Sequence, residues 1–194
     1  MKKLVVATKN AGKAAEVARI LAGVPFQVVS LTDYPNAPEV EETGSTFVEN
    51  AVIKAQVYAD FTGELTLADD SGLEVDALDG APGVFSSRFA PTDPERNAKL
   101  LKLMEDAPDG RRTARFRCAI AIAQPAGDAE TCDGKVEGEI ARKTKGTHGF
   151  GYDPVFYLPQ MRRHMAELEP DEKNAISHRG RALQEAKKML LEMV

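Results

Sequence analysis

The sequence predicts an α/β protein built on a mixed β-sheet with flanking helices. Three observations carry that prediction. Short apolar runs interleave with helical periodicity through the first half of the 194 residues. Two strand-like runs in the middle, beginning at Arg115 and Lys135, follow one another with no helix between them. A helical pattern then closes the chain. Helices between every pair of strands would imply a fully parallel sheet; their absence in the middle makes it mixed.

Leu4 to Ala7 is the first strand. After a polar loop, Ala14, Val17, Ala18 and Leu21 recur at i, i+3, i+4 and i+7, the mark of one apolar helix face. Phe26 to Leu31 is a second strand, and Tyr34 to Gly44, with two prolines and a glycine, is a loop. Thr46 and Glu49 form a T-x-x-E capping box that opens a second helix. Leu65 to Ala68 is a short strand, with a sharp turn expected at Ser71-Gly72. Asp79 to Phe89 is turn-rich, and Asp93 to Glu105 is a third helix. In the run after Arg115 nearly every residue is apolar. Val136, Gly138 and Ile140 instead alternate with Lys135, Glu137 and Glu139, the period of a half-exposed strand. Ser177 can cap the closing helix. The whole, residues 1–194, reads as a single domain.

The formal net charge of -5 argues against binding nucleic acid through bulk electrostatics, though not against a local basic pocket for a phosphorylated small molecule. No apolar run approaches a membrane span, and the N-terminal run is too short for a signal-peptide core. A cytoplasmic protein with no membrane partner is expected. Cys118 sits in the apolar run CAIAIA, which favours a reduced, buried thiol over a disulfide with Cys132.

Strand, glycine-lysine loop and helix at Leu4–Leu21 invite comparison with a phosphate-binding P-loop, G-x-x-x-x-G-K-[ST]. Aligning Gly12-Lys13 places Ala7 at the first glycine and Ala14 at the metal-binding hydroxyl, so this is not a P-loop. Two features remain: free N–H groups at a helix start, and positive charge from Lys9 and Lys13. A capped turn with solvated lysines is the plainer alternative. A metal would have to be held elsewhere.

Asp69-Asp70, after an apolar strand, suit a hard cation such as Mg²⁺, which takes oxygen ligands and retains waters. Neighbours on an extended chain point to opposite sides, so one of the two faces the site directly. An ordinary acidic turn is the alternative. Glu41 and Glu42 supply a second acidic point, and Asn50 and Lys54 share a helix face, with Lys54 reaching a phosphate or snorkelling to solvent. Gly149 to Pro154 combines glycines, two aromatic rings and an acid, as a loop that stacks a flat heterocycle does; a structural turn fits equally. His178 and Arg179, just after Ser177, put cations at a helix N-terminus against its dipole, which suggests an anionic or carbonyl-rich partner or a salt bridge.

Together, TKNAGK, EETG…ENAVIKA, LADDSGLEVDALDGAPGVFSSRF, GFGYDPVF and EKNAISHRGRAL resemble, in order and over nearly the whole chain, the inosine triphosphate pyrophosphatase family, the XTP/dITP diphosphatases. The resemblance implies an elongated α/β fold with two lobes around a central active-site cleft, a homodimer, and Mg²⁺-dependent hydrolysis of deaminated purine nucleoside triphosphates to monophosphate and pyrophosphate. It implies that Thr8, Lys9, Asn10, Ala11, Gly12 and Lys13 bind the triphosphate. Asp70 is implied as water-activating base and metal ligand, Glu42 as a second ligand, and Ser71 as a substrate contact. Phe150, Gly151, Tyr152 and Asp153 match the base-recognition loop, and Lys173, His178 and Arg179 the contacts closing around the base. The segment FSSRF departs from many relatives, which have alanine between serine and arginine and tyrosines for the phenylalanines; no expected catalytic group is lost.

Hydrolysis between the α and β phosphates needs an in-line water and a stabilised leaving group, work suited to Asp70, Lys13 and Lys54 with the metal. Two rivals stay open: a related pyrophosphatase with another base preference, and a nucleotide-binding sensor that does not turn over.

Overall fold

The computed structural model describes residues 1–193. Its strands are β1 (Lys3–Val6), β2 (Gln27–Ser30), β3 (Leu65–Val75), β4 (Thr113–Ala123), β5 (Ala129–Ile140), β6 (Phe156–Leu158) and β7 (Arg163–His164). Its α-helices are α1 (Ala11–Ile20), α2 (Phe47–Thr62), α3 (Asp93–Leu103), α4 (Pro170–Ile176) and α5 (His178–Glu192). The strands form one sheet in the order β2-β1-β3-β4-β5-β6-β7. β1 runs parallel to both β2 and β3, as helical crossovers through α1 and α2 require. β5, β6 and β7 pair antiparallel, so the sheet is mixed, as expected.

The described residues group into two units: 1–70, 118–134 and 179–193, and 71–117 and 135–178. Each has its own core. In the first, Leu4 and Val6 of β1 pack with Val17, Ile20 and Leu21, and with Leu183, Ala186 and Leu190 of α5. The helix thus buries Val17 and Ile20, with Leu21 at its C-cap and Val24 just beyond it. Of the predicted stripe Val17 and Leu21 are buried, Ala14 is half-buried and Ala18 is exposed, the larger Ile20 burying more apolar area in its place. In the second, Leu73, Val75, Leu100, Met104, Phe116, Ile140 and Phe156 meet. Cys118 and Cys132 are both free, and burial pushes the Cys118 thiol up to about 12. Among the described residues no helix is long and apolar enough to cross a membrane.

Two local expectations are corrected. β3 does not turn at Ser71-Gly72 but continues through Asp-Asp-Ser-Gly to Val75. It pairs with β1 only as far as Leu67 and continues beside β4, where strand pairing and the Ser86 hydroxyl, which accepts from Leu73 N–H at 2.9 Å, satisfy backbone groups that a turn would leave open. Thr46 does cap α2 through Glu49 N–H at 3.2 Å. Glu49, however, accepts from Ser45 N–H at 2.6 Å and the Ser45 hydroxyl at 2.8 Å, so the reciprocal half of the box is shifted one residue upstream.

Candidate active site

In the first unit, β1 delivers the chain into the Thr8–Lys13 loop, whose polar side chains shape it. Thr8 Oγ1 accepts from Asn10 N–H at 3.1 Å, and Asn10 Oδ1, at the N-cap of α1, accepts from Lys13 N–H at 3.0 Å. Lys9 is exposed, while Lys13 turns inward. Its Nζ lies 2.9 Å from Asp69 Oδ2 on β3. The same oxygen takes Arg179 Nε at 3.4 Å, and Arg179 Nη1 lies 2.6 Å from Glu16 on α1. The anionic partner of Arg179 at the start of α5 is therefore a pair of carboxylates, Asp69 buried and Glu16 half-buried. Asp69 is buried, which raises a carboxyl pKa, but Lys13, then Arg179 and Lys54, outweigh burial and hold it well below the usual range.

Asp70 sits in the opposite setting. Asn50 Nδ2 donates to its Oδ2 at 3.0 Å, and Lys54 Nζ is 3.8 Å from its Oδ1. Burial leads the shift here; with the nearby Glu42 carboxylate it outweighs Lys54 and Asn50, so the Asp70 pKa is raised. Lys54 does not snorkel. Its ammonium lies 2.5 Å from Glu42 Oε1 and donates to the Asp69 carbonyl at 2.7 Å. Burial lowers its pKa, but Asp69, Asp70 and Glu42 reverse that into a net rise.

Glu42 and Asp70 thus bracket one ammonium. Among the described residues no three His, Cys, Asp or Glu side chains converge as a metal cage. A cation that takes one or two carboxylates and completes its shell with waters and substrate phosphates needs none. The hard oxygen donors of Glu42 and Asp70 fit Mg²⁺ on that basis.

The second unit holds the predicted base loop. Ser71 follows Asp70 on β3. Asp153 Oδ2 accepts from Phe150 N–H at 3.0 Å and from Lys173 Nζ at 2.7 Å, both acid and ammonium being buried. Lys173 Nζ also lies 4.6 Å from the centre of the Phe150 ring. Gly149 has φ +74°, and a Cβ there would stand 2.0 Å from Asp153 Oδ2, so only glycine fits. Tyr152 differs from expectation: its ring lies in the core and its hydroxyl donates to the Ser86 carbonyl at 2.7 Å. It anchors the loop, whereas Phe150, the other ring of the predicted pair, is half-buried. His178, buried at the start of α5, stacks on Phe116 with centroids 4.7 Å apart.

The predicted residues therefore divide between the two units: Thr8–Lys13, Glu42, Lys54, Asp70 and Arg179 in one, and Ser71, Phe150–Asp153, Lys173 and His178 in the other. Three contributors were not predicted: Asn50, Asp69 as the partner of Lys13, and Glu16. The i, i+4 spacing of Asn50 and Lys54 and the acid pair Asp69-Asp70 were the available signals.

The Ham1 family profile matches residues 4–189. A dITP/XTP pyrophosphatase of Desulforamulus reducens is 56% identical over 191 residues, covering 97% of this chain and 95% of that protein. A HAM1 protein from Coxiella burnetii superposes with a TM-score of 0.91 at 49% identity, covering 99% of this chain and all of that one. The Staphylococcus aureus Ham1 protein superposes at 0.89, with 37% identity and both chains fully covered. With motifs, sheet and nearly every residue accounted for by that match, the chain belongs to the Ham1 family.

Proposed function

We propose that this protein hydrolyses deaminated purine nucleoside triphosphates, dITP, ITP and XTP, to the nucleoside monophosphate and pyrophosphate. The observation that carries this reading is the pair of adjacent acids in opposite settings, Asp69 locked to cations and Asp70 held with a raised proton affinity. The names of relatives such as that of D. reducens support the substrate class.

Asp70 receives a proton from the attacking water as its oxygen bonds to the α phosphorus. The bond from that phosphorus to the bridging oxygen breaks, and the electron pair leaves with pyrophosphate. Asn50, donating to Asp70 Oδ2, fixes the carboxylate's orientation. Lys13 and Lys54 offset negative charge building on the phosphates. When bound by Asp70 and Glu42, Mg²⁺ supplies further charge neutralisation and acidifies water.

In the second unit, Phe150 stacks the base while Lys173 addresses its edge. Hypoxanthine and xanthine carry a carbonyl acceptor at position 6 where adenine carries an amino donor. Donors facing adenine would lose their partners, a discrimination that reaches about 10⁴-fold in a desolvated site. His178 and Arg179 complete the contacts expected from the family resemblance. The same resemblance supports a cytoplasmic location and a homodimer, and light scattering of the purified protein tests the dimer.

The deciding experiment is product analysis with Mg²⁺ on dITP, XTP, GTP and ATP, scoring pyrophosphate apart from orthophosphate. Pyrophosphate from dITP and XTP with little from ATP or GTP is expected. Orthophosphate would place attack at the terminal phosphate and overturn the mechanism; tight binding without turnover would make the protein a sensor.

A further inference from the structure

The base loop is gripped by a helix that takes no part in the chemistry above. Asp93 and Asn97 stand four apart on α3 and so share a face. Asp93 Oδ2 accepts from Gly151 N–H at 2.7 Å, and Asn97 Nδ2 donates to the Gly151 carbonyl at 3.0 Å. Both backbone polar groups of one loop residue are thus fixed by one helix face. Gly151 itself has φ +63°, a conformation that glycine adopts freely and that needs outside contacts to hold it.

The helix is a firm base for such a grip. Thr92 and Glu95 form a full capping box, Pro94 lies in the first turn, and Leu100 is fully buried. The other Asp93 oxygen is paired with Arg96, which sets the carboxylate's direction. α3 and the loop together line a pocket of about 630 Å³, bounded by Pro94, Asn97, Leu101, His148 and Phe150. The two hydrogen bonds hold where side chains leave space.

Asn97 is 4% exposed, and its Oδ1 has no hydrogen-bond partner among the described residues. A buried acceptor without a partner is costly, and an apolar side chain would pack there without that cost. The donor to Gly151 accounts for an amide at this place.

We propose that Asp93 and Asn97 are positioning residues for base selectivity: they clamp Gly151 and thereby set Phe150 and Asp153 on either side of it. This rests on the reading that the loop receives the base. Neither residue touches the reacting phosphates, so the clamp acts on how the base is held.

The test compares Asn97→Asp, which removes the donor at nearly constant volume, with Asp93→Ala and the conservative Asp93→Asn, which keeps an acceptor oxygen. Loss of one such hydrogen bond should raise KM for dITP about three- to tenfold. The preference for dITP over dATP should fall by a similar factor, with kcat at saturating dITP within about twofold of wild type. Asp93→Asn should recover most of the preference. A merely structural role would instead lower kcat and leave the dITP-to-dATP ratio unchanged, and that result would overturn the proposal. Exchange of the Gly151 amide, read by NMR on ¹⁵N-glycine-labelled protein, gives a second readout free of any substrate. Faster exchange in Asp93→Ala than in wild type supports the clamp, and equal exchange refutes it. Wild-type protein with no preference for dITP would bring down the reading of the loop, while the amide exchange would still judge the clamp by itself.

Discussion

Asp69 and Asp70 are chemically identical neighbours, and their surroundings give them opposite work. Asp69 is depressed by Lys13 and Arg179; Asp70 is raised by burial with Glu42 beside it. Such a split supports the proposed roles, Asp69 as a structural ion and Asp70 as the proton acceptor. For Asp69, a folded pKa below the unfolded value means that its stabilisation is fully present above about pH 4 and is lost as pH falls further. Asp69→Asn should therefore lower Tm at pH 7 and flatten the dependence of Tm on pH below about 4. For Asp70 the sign reverses. A raised folded pKa means the ionised carboxylate costs stability at neutral pH, so Asp70→Asn should leave the Tm of the metal-free protein equal to or above wild type. Its turnover should drop at least about 10²-fold. A variant that loses both Tm and activity would show that Asp70 holds the fold and that its charge is not a cost.

The loop before α2 (Phe47–Thr62) carries Glu42, and one side chain ties it to the acid on β3. Asn50 Oδ1 accepts from Gly44 N–H at 2.7 Å while Nδ2 donates to Asp70. A Cβ on Gly44 would stand 2.6 Å from Asn50 Oδ1 and 2.7 Å from Glu49 Cβ, so Gly44→Ala must push Asn50 aside. The loop carrying Glu42 and the orientation of Asp70 should suffer together. The Mg²⁺ concentration for half-maximal activity should rise about tenfold, on the scale set by loss of a partner that orients a metal ligand. An unchanged Mg²⁺ titration would remove Asn50 from that role. This link also marks where sequence reading stops. Strands β1, β2, β4 and β5, the first part of β3, the Thr46 cap of α2 and the acids were legible because propensity, periodicity and charge are local properties; the short β6 and β7 were not. The same spacing put Asn50 and Lys54 on one face without saying that Asn50 joins Gly44 to Asp70. Arg179 carried a visible cation at a helix start, yet its partners Glu16 and Asp69 are 163 and 110 residues away in the chain. The turn expected at Ser71-Gly72 failed for a related reason, since the pairing that keeps β3 extended comes from strands distant in sequence.

At the scale of the molecule, two apolar cores are threaded by the same strands. β3 (Leu65–Val75) places Leu67 in the first core and Leu73 and Val75 in the second. β4 (Thr113–Ala123) places Cys118, Ile120 and Ile122 in the first, Ala114 and Phe116 in the second. A strand that loses its packing in one core also loses ladder hydrogen bonds that support its continuation into the other. The two cores should therefore unfold in one cooperative transition. Leu67 and Leu73 are 1% and 0% exposed, so truncating either to alanine should cost about 2–5 kcal/mol. In a chain of this length that corresponds to a fall in Tm of about 4–20 °C. Calorimetry of Leu67→Ala and Leu73→Ala should show a single peak moved down in both variants, with near- and far-ultraviolet circular dichroism changing at the same temperature. A second peak, with each substitution moving only one of the two, would mean that the cores melt independently and that continuity of β3 and β4 does not couple them.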